Sequence, residues 1–270
     1  PGEDRPVSGR NRPEIIMEDF TFNVDAYLAR IGAERPQALT PQSLQKLVRA
    51  HLEQVPFENL ELTENQTQPS LEPESLFQKV VLHRRGGYCF ELNKLFYLLL
   101  QSLGYDCYCV GVRCIMGRTE PRSISHRGIV VRFGEERWYC DVGFGGRGPK
   151  GILNLGNPAV QECCYERFQV LSEDGQYVIV YFDGENPVRM LKFRDEPYLD
   201  VDFEVLNGYY WAYPASPFRR KRAVYRCTED GWLGLRGDTY LSFRQGVYRE
   251  QDVSREKANV LLETQFGLHL

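Results

Sequence analysis

No apolar run in this 270-residue chain approaches the roughly 20 residues needed to cross a bilayer, and the N-terminus lacks the apolar stretch of a signal peptide. An excess of positive charge is missing too. Lys and Arg number 33 against 37 Asp and Glu, a net charge of -4, so no chain-wide cationic field exists to hold a polyanion. Neither nucleic acid nor a membrane is expected as a partner, and the chain is expected to be cytoplasmic. The C-x-x-C spacing is absent and no His pair lies at ligand spacing beside a cysteine, which argues against a metal. No internal repeat is found. What is present has the balance of a folded protein, 42% apolar and 26% charged. Eight cysteines are scattered unevenly, several inside apolar strand-like runs, and do not form a disulfide framework.

Composition changes along the chain. Residues 1–16 are rich in Pro, Gly and charge and read as a disordered tail or an added tag, with Met17 a candidate native start. Residues 17–105 carry helical periodicity. Thr40 and Pro41 read as an N-cap with proline at the first helical position, followed by Leu44, Leu47, Val48, His51 and Leu52 on one face. That helix must end before Pro56. A second helical segment runs over about Glu74 to Val81, and a third, apolar nearly all round, from Phe90 to Leu103, with Gly104 as its stop. Over 106–205 the period becomes two, in segments such as Tyr108–Val112, Gly128–Phe133, Arg137–Cys140, Phe168–Leu171 and Tyr177–Phe182. Glycine turns between them suit a small antiparallel barrel or sandwich. Residues 206–270 form a third part, with strands at Ala223–Cys227 and Thr239–Phe243 and a C-terminal helix from Ser254.

Chemistry concentrates around Cys89, where a glycine-rich turn enters a helix. The free N–H groups and positive dipole end of a helix start favour a thiolate, so a lowered thiol pKa is expected. A cysteine there is otherwise one more small buried hydrophobe. Downstream, Gly128–Phe133 and Arg137–Cys140 form a hairpin turning at Gly134–Glu135, which sets His126 before one strand and Asp141 just after the other. The two should be near cross-strand neighbours. Asp141 would then accept the Nδ1 proton of His126 and leave Nε2 aimed at a thiol, a nucleophile, base and orienter arrangement. Nothing in the periodicity brings Cys89 to that pair.

Arg85-Gly86-Gly87-Tyr88-Cys89-Phe90-Glu91-Leu92-Asn93 resembles the R-G-G-x-C-[FY]-E-x-N signature of the arylamine N-acetyltransferases. Val55-Pro56-Phe57-Glu58-Asn59-Leu60, Ser125-His126-Arg127, Asp141-Val142-Gly143-Phe144-Gly145 and Ser216-Pro217-Phe218 look like further segments of that family, in its order. The resemblance spans about Phe20 to Leu270. It implies an α+β fold in which a helical bundle carries the cysteine, an antiparallel β-barrel the histidine and aspartate, and an α/β lid completes a cysteine-proteinase-like Cys-His-Asp core.

By the same resemblance the activity is transfer of acetyl from acetyl-CoA, through Cys89, to an arylamine, arylhydroxylamine or hydrazine, with His126 moving protons and Asp141 holding it. Phe57 and Phe144 match acceptor-pocket positions, with plain core packing the other reading. Gly143, Gly145 and Gly146 match a segment that meets CoA, with an ordinary turn the other reading. Glu58 and Arg85 match a supporting ion pair. Cys114 stands where the family commonly has a small apolar residue, and Arg219–Arg222 reads as a solvated face or a contact for anionic CoA. An amide synthase of the same fold, a transglutaminase-like or papain-like peptidase and a silent binding protein stay as alternatives, which incubation with acetyl-CoA separates. Neither the preferred amine nor the oligomeric state is written in the sequence.

Overall fold

Asn23 opens the first helix of the computed structural model, which describes residues 20–269. Its side chain accepts the Ala26 N–H at 2.9 Å, and α1 (Val24–Ile31) closes on Gly32 at φ 66°. The suggested tail at 1–16 lies outside the described residues. At α2 (Pro41–Gln54), Thr40 and Ser43 each accept the other's backbone N–H, at 3.2 and 2.9 Å, a reciprocal cap. Leu44, Leu47, Val48, His51 and Leu52 form its buried face, and Val55, before Pro56, is extended. β1 (Phe57–Glu58) and α3 (Leu60–Thr63) follow. α4 (Pro73–Phe77) widens into a π turn over Gln78–Leu82 and leads to α5 (Cys89–Leu103), which Gly104 ends at φ 96°. Leu92, Leu95, Phe96, Leu99 and Leu100 on α5 are all 0% exposed, each stabilising by about 2 kcal/mol relative to exposure. That burial makes α5 a rigid platform for its first residue.

β2 (Asp106–Cys114), β3 (His126–Phe133), β4 (Glu136–Cys140), β5 (Leu153–Asn154), β6 (Gln161–Cys163), β7 (Glu166–Glu173), β8 (Gln176–Asp183) and β9 (Asn186–Phe193) form one antiparallel sheet in the order β5-β4-β3-β2-β9-β8-β7-β6. The sheet curls into a nearly closed barrel. At the seam no ladder joins β5 to β6; the Gln161 amide instead accepts the Asn154 N–H at 2.8 Å and donates to the Asn154 carbonyl at 3.0 Å. Phe133 faces Glu136 across the turn, the hairpin register expected from the sequence.

The last part contains α6 (Asp200–Ala212), α7 (Pro217–Arg220), β10 (Ala223–Thr228), β11 (Gly231–Arg236), β12 (Thr239–Arg244), β13 (Val247–Asp252) and α8 (Arg255–Phe266), capped by Ser254. Its sheet runs β1-β10-β11-β12-β13. Two features cross the segment limits read from the sequence. β1, from the helical region, pairs with β10 through Phe57 and Tyr225, and the 205/206 boundary falls inside α6. Among the described residues no helix is long and apolar enough to cross a membrane.

Candidate active site

Three local features fix Cys89. A Cβ on Gly86 would lie 2.0 Å from the Pro56 carbonyl oxygen, so only glycine lets the turn pass β1 this closely. Arg85 donates to Glu58 Oε1 from Nη2 at 2.7 Å and Nε at 3.1 Å, while Glu58 Oε2 accepts the Leu60 N–H at 2.8 Å. The Glu58 side chain is fully buried, so the pair is an internal anchor. The Glu91 carboxylate accepts the Tyr88 N–H at 2.9 Å and so caps the start of α5.

His126 begins β3 and Asp141 follows β4. Ile129 faces Cys140, so Asp141 lies diagonally across from His126. Only the far ring nitrogen spans that diagonal: Nε2, not the Nδ1 expected from sequence, meets Asp141 Oδ2 at 2.5 Å. Nδ1 is therefore the nitrogen left for other chemistry. The same Oδ2 accepts the Tyr139 hydroxyl at 2.8 Å, while Oδ1 accepts Asn93 Nδ2 and the Gly143 N–H, each at 2.9 Å. Burial alone would raise the Asp141 pKa, but the His126 charge and hydrogen bonds from His126, Asn93 and Gly143 outweigh it and hold the carboxyl below its ordinary value.

The thiol contradicts the expected lowering. Burial pushes the Cys89 pKa well above the ordinary thiol value, neighbouring Cys114 and Asp141 add to the rise, and hydrogen bonds from the Arg127 and Phe90 N–H groups pull only partly back. The sulfur's own contact is the Ser125 carbonyl at 3.8 Å. A helix start supplies partial charge, but at 2% exposure the lost hydration outweighs it.

Cys89, His126, Phe57, Phe144, Cys114 and Tyr210 share the wall of one cavity of about 740 Å³. The Phe144 ring meets the His126 ring edge-on at 5.3 Å. Gly143 and Gly145 are also on the wall, yet the Gly143 N–H is committed to Asp141. A Cβ on Gly143 would sit 2.8 Å from Cys89 Cα, so close packing on α5 is what requires glycine there. Gly146 packs on Tyr225, and its carbonyl accepts Lys150 Nζ. The basic run divides: Arg222 is buried and bonded to Asp238 at 2.9 Å, whereas Arg220 is exposed on the cavity wall. Among the described residues no group of three or more His, Cys, Asp or Glu side chains is placed to hold a metal.

Sequence reasoning missed Asn93 and Tyr139, the two side chains besides His126 that fix Asp141. Both carried a signal. Asn93 lies four residues after Cys89, on the same helix face, and Tyr139 two before Asp141, on the same strand face.

The profile of a family described as N-acetyltransferase matches residues 40–270. The arylamine N-acetyltransferase of Escherichia coli (strain K12) is 30% identical over 252 residues, covering 90% of this chain and 87% of that protein. Among solved structures, the M. smegmatis arylamine N-acetyltransferase superposes with a TM-score of 0.87 at 28% identity, covering 93% of each chain. The Mycobacterium marinum arylamine N-acetyltransferase in complex with CoA gives 0.85 at 26% identity, covering 91% of this chain and 92% of that one.

Proposed function

The chain belongs to the arylamine N-acetyltransferase family, and on that premise we propose that it works by a ping-pong mechanism through an acetyl group carried on Cys89. One observation supports this above the others: His126, held by Asp141 at 2.5 Å, lies on the wall of the same cavity as Cys89. Asp141 holds Nε2 protonated, which leaves Nδ1 free to take the thiol proton. The sulfur attacks the thioester carbonyl of acetyl-CoA, the Cys89 N–H at the helix start stabilises the oxyanion, and His126 returns its proton as the CoA thiol leaves. An arylamine, arylhydroxylamine or hydrazine then attacks the acetyl-cysteine carbonyl, gives its proton to His126 and releases the Cys89 thiol.

Sulfur suits the relay because thioester-to-thioester transfer is nearly isoenergetic and the acyl-cysteine stays reactive toward an amine. Phe57 and Phe144 supply an apolar wall for an aromatic acceptor. The CoA chain passes the backbone of Gly145 and Gly146, whereas the Gly143 N–H holds Asp141. Incubation with acetyl-CoA alone should leave one acetyl group on the Cys89 peptide, discharged by an aromatic amine and absent in Cys89→Ala. Amine acetylation by Cys89→Ala at the wild-type rate would overturn the reading.

A further inference from the structure

At the end of β10, two residues beyond Tyr225 on the same strand face, two cysteines unused by the transfer chemistry meet. The β6–β7 hairpin pairs Cys163 with Glu166, so its loop is the two residues Cys164 and Tyr165. Both have positive φ, 51° and 65°, a conformation that hairpin loops normally give to Asn and Gly and that costs side-chain-bearing residues stability. The turn delivers the Cys164 sulfur to the β10–β11 turn, 3.9 Å from the Thr228 carbonyl and 3.8 Å from that of Gly231. The Cys227 thiol donates to the same Gly231 oxygen at 3.2 Å, and Arg49 Nη1 reaches the Cys227 sulfur at 3.1 Å. Two sulfurs on different sheets thus share one carbonyl and one guanidinium.

We propose that Cys164 and Cys227 are a peroxide-reactive dithiol that closes into a disulfide between the barrel and the third sheet. The pair divides the labour such a reaction needs. Cys164 is part-exposed and Cys227 buried, so oxidant meets Cys164 first. The neighbouring Cys227 sulfur, with the Arg49 and Lys150 charges, outweighs burial and lowers the Cys164 thiol below its ordinary value, while the same contact and burial push Cys227 up. Of the two sulfurs, Cys164 is therefore the one that ionises more readily. The Cys164 thiolate attacks a peroxide oxygen, breaking the O–O bond to give a sulfenic acid and hydroxide. The Cys227 sulfur then displaces water from the sulfenic sulfur as its proton is lost. Both sulfurs are oxidised to the disulfide, and peroxide is reduced to water and hydroxide.

The bridge would fix β10 two residues from Tyr225, which lines the substrate cavity. It would also close a long loop of chain, which restricts the unfolded state. The full chain is treated with a small excess of hydrogen peroxide, free thiols are blocked with N-ethylmaleimide, and the digest is mapped by mass. The expected product is a Cys164–Cys227 cross-linked peptide, reversed by dithiothreitol and accompanied by a rise in Tm of about 5 °C. Cys164→Ser and Cys227→Ser should each lose the cross-link and the rise, whereas Cys163→Ser keeps both. A bridge through Cys163, or Cys164 recovered as the alkylated thiol or as sulfinic acid, overturns the proposal. Because Cys164→Ser alters an accessible turn, it remains informative if the buried Cys227→Ser fails to fold. Neither readout involves acetyl transfer, so failure here leaves the transferase reading untouched.

Discussion

Asp141→Asn changes one atom of the side chain and inverts the histidine it holds. Oδ1 accepts two donors, the Gly143 backbone N–H and Asn93 Nδ2, the latter also bound to the Arg127 carbonyl. Neither can become an acceptor, so the Asn amide must place its carbonyl oxygen there and turn its NH₂ toward Tyr139 and His126. Nε2 of His126 then accepts instead of donating, its proton moves to Nδ1, and the nitrogen facing the cavity can no longer take a proton. The expected loss is on the order of 10⁴-fold in kcat/KM, about 5 kcal/mol of transition-state stabilisation, the size seen for the equivalent change in serine proteases. CoA release with an arylamine acceptor measures it, with circular dichroism to confirm the fold. A variant within tenfold of wild type would refute the reasoning. Acid stability offers a separate check. The folded pKa of Asp141 lies below its ordinary value of 3.8, so its contribution is complete above about pH 4 and is lost as pH falls through the folded pKa. In urea unfolding, the wild type should therefore lose its advantage over Asp141→Asn in that range.

Tyr139→Phe removes one of two donors to Asp141 Oδ2 and should lower kcat/KM about tenfold while costing about 1–2 kcal/mol of stability; steady-state kinetics and denaturant melts read both. Gly143→Ala would press a methyl within 2.8 Å of Cys89 Cα and 3.0 Å of Asn93 Nδ2, so kcat should fall at least about 100-fold through displaced geometry, with the fold retained by circular dichroism. Phe144→Ala opens the aromatic wall beside His126 and should raise KM for the arylamine about tenfold more than it changes KM for acetyl-CoA. Alkylation of Cys89 by iodoacetamide at pH 7 should slow at least about tenfold in Asp141→Asn, and equal rates would detach the thiol's reactivity from the histidine.

The sequence made local structure legible where a single physical signal dominated. Thr40-Pro41, Gly104 and Ser254 marked helix ends because caps and stops act within one turn. The His126–Asp141 hairpin was readable because a two-residue turn fixes register. Long-range pairings were not. Phe57–Glu58 is too short to carry a strand period, and its partner lies far along the chain in β10. β9 holds Pro187, Arg189 and Lys192, which break the alternation that marked β2 and β8. Asn93 was missed for a related reason, since it reaches Asp141 only once α5 packs on the barrel. The ring orientation of His126 turns on a two-residue diagonal finer than a register argument resolves.

The buried thiol sets what the proposed triad of Cys89, His126 and Asp141 must accomplish. A lone thiolate at Cys89 is disfavoured by lost water, by the Cys114 sulfur and by the Asp141 carboxylate. In the proposed mechanism proton transfer to His126 changes the balance, because it creates a neutralising charge on the wall of the cavity that Cys89 shares, next to a carboxylate held by four donors. The low dielectric that penalises an isolated thiolate strengthens that pair. On the proposed mechanism, reactivity at Cys89 is a property of three residues, not of a helix N-terminus. By that reading the cluster around Asp141, which keeps the carboxylate ionised and immobile, is as necessary to the nucleophile as the glycines that deliver the sulfur.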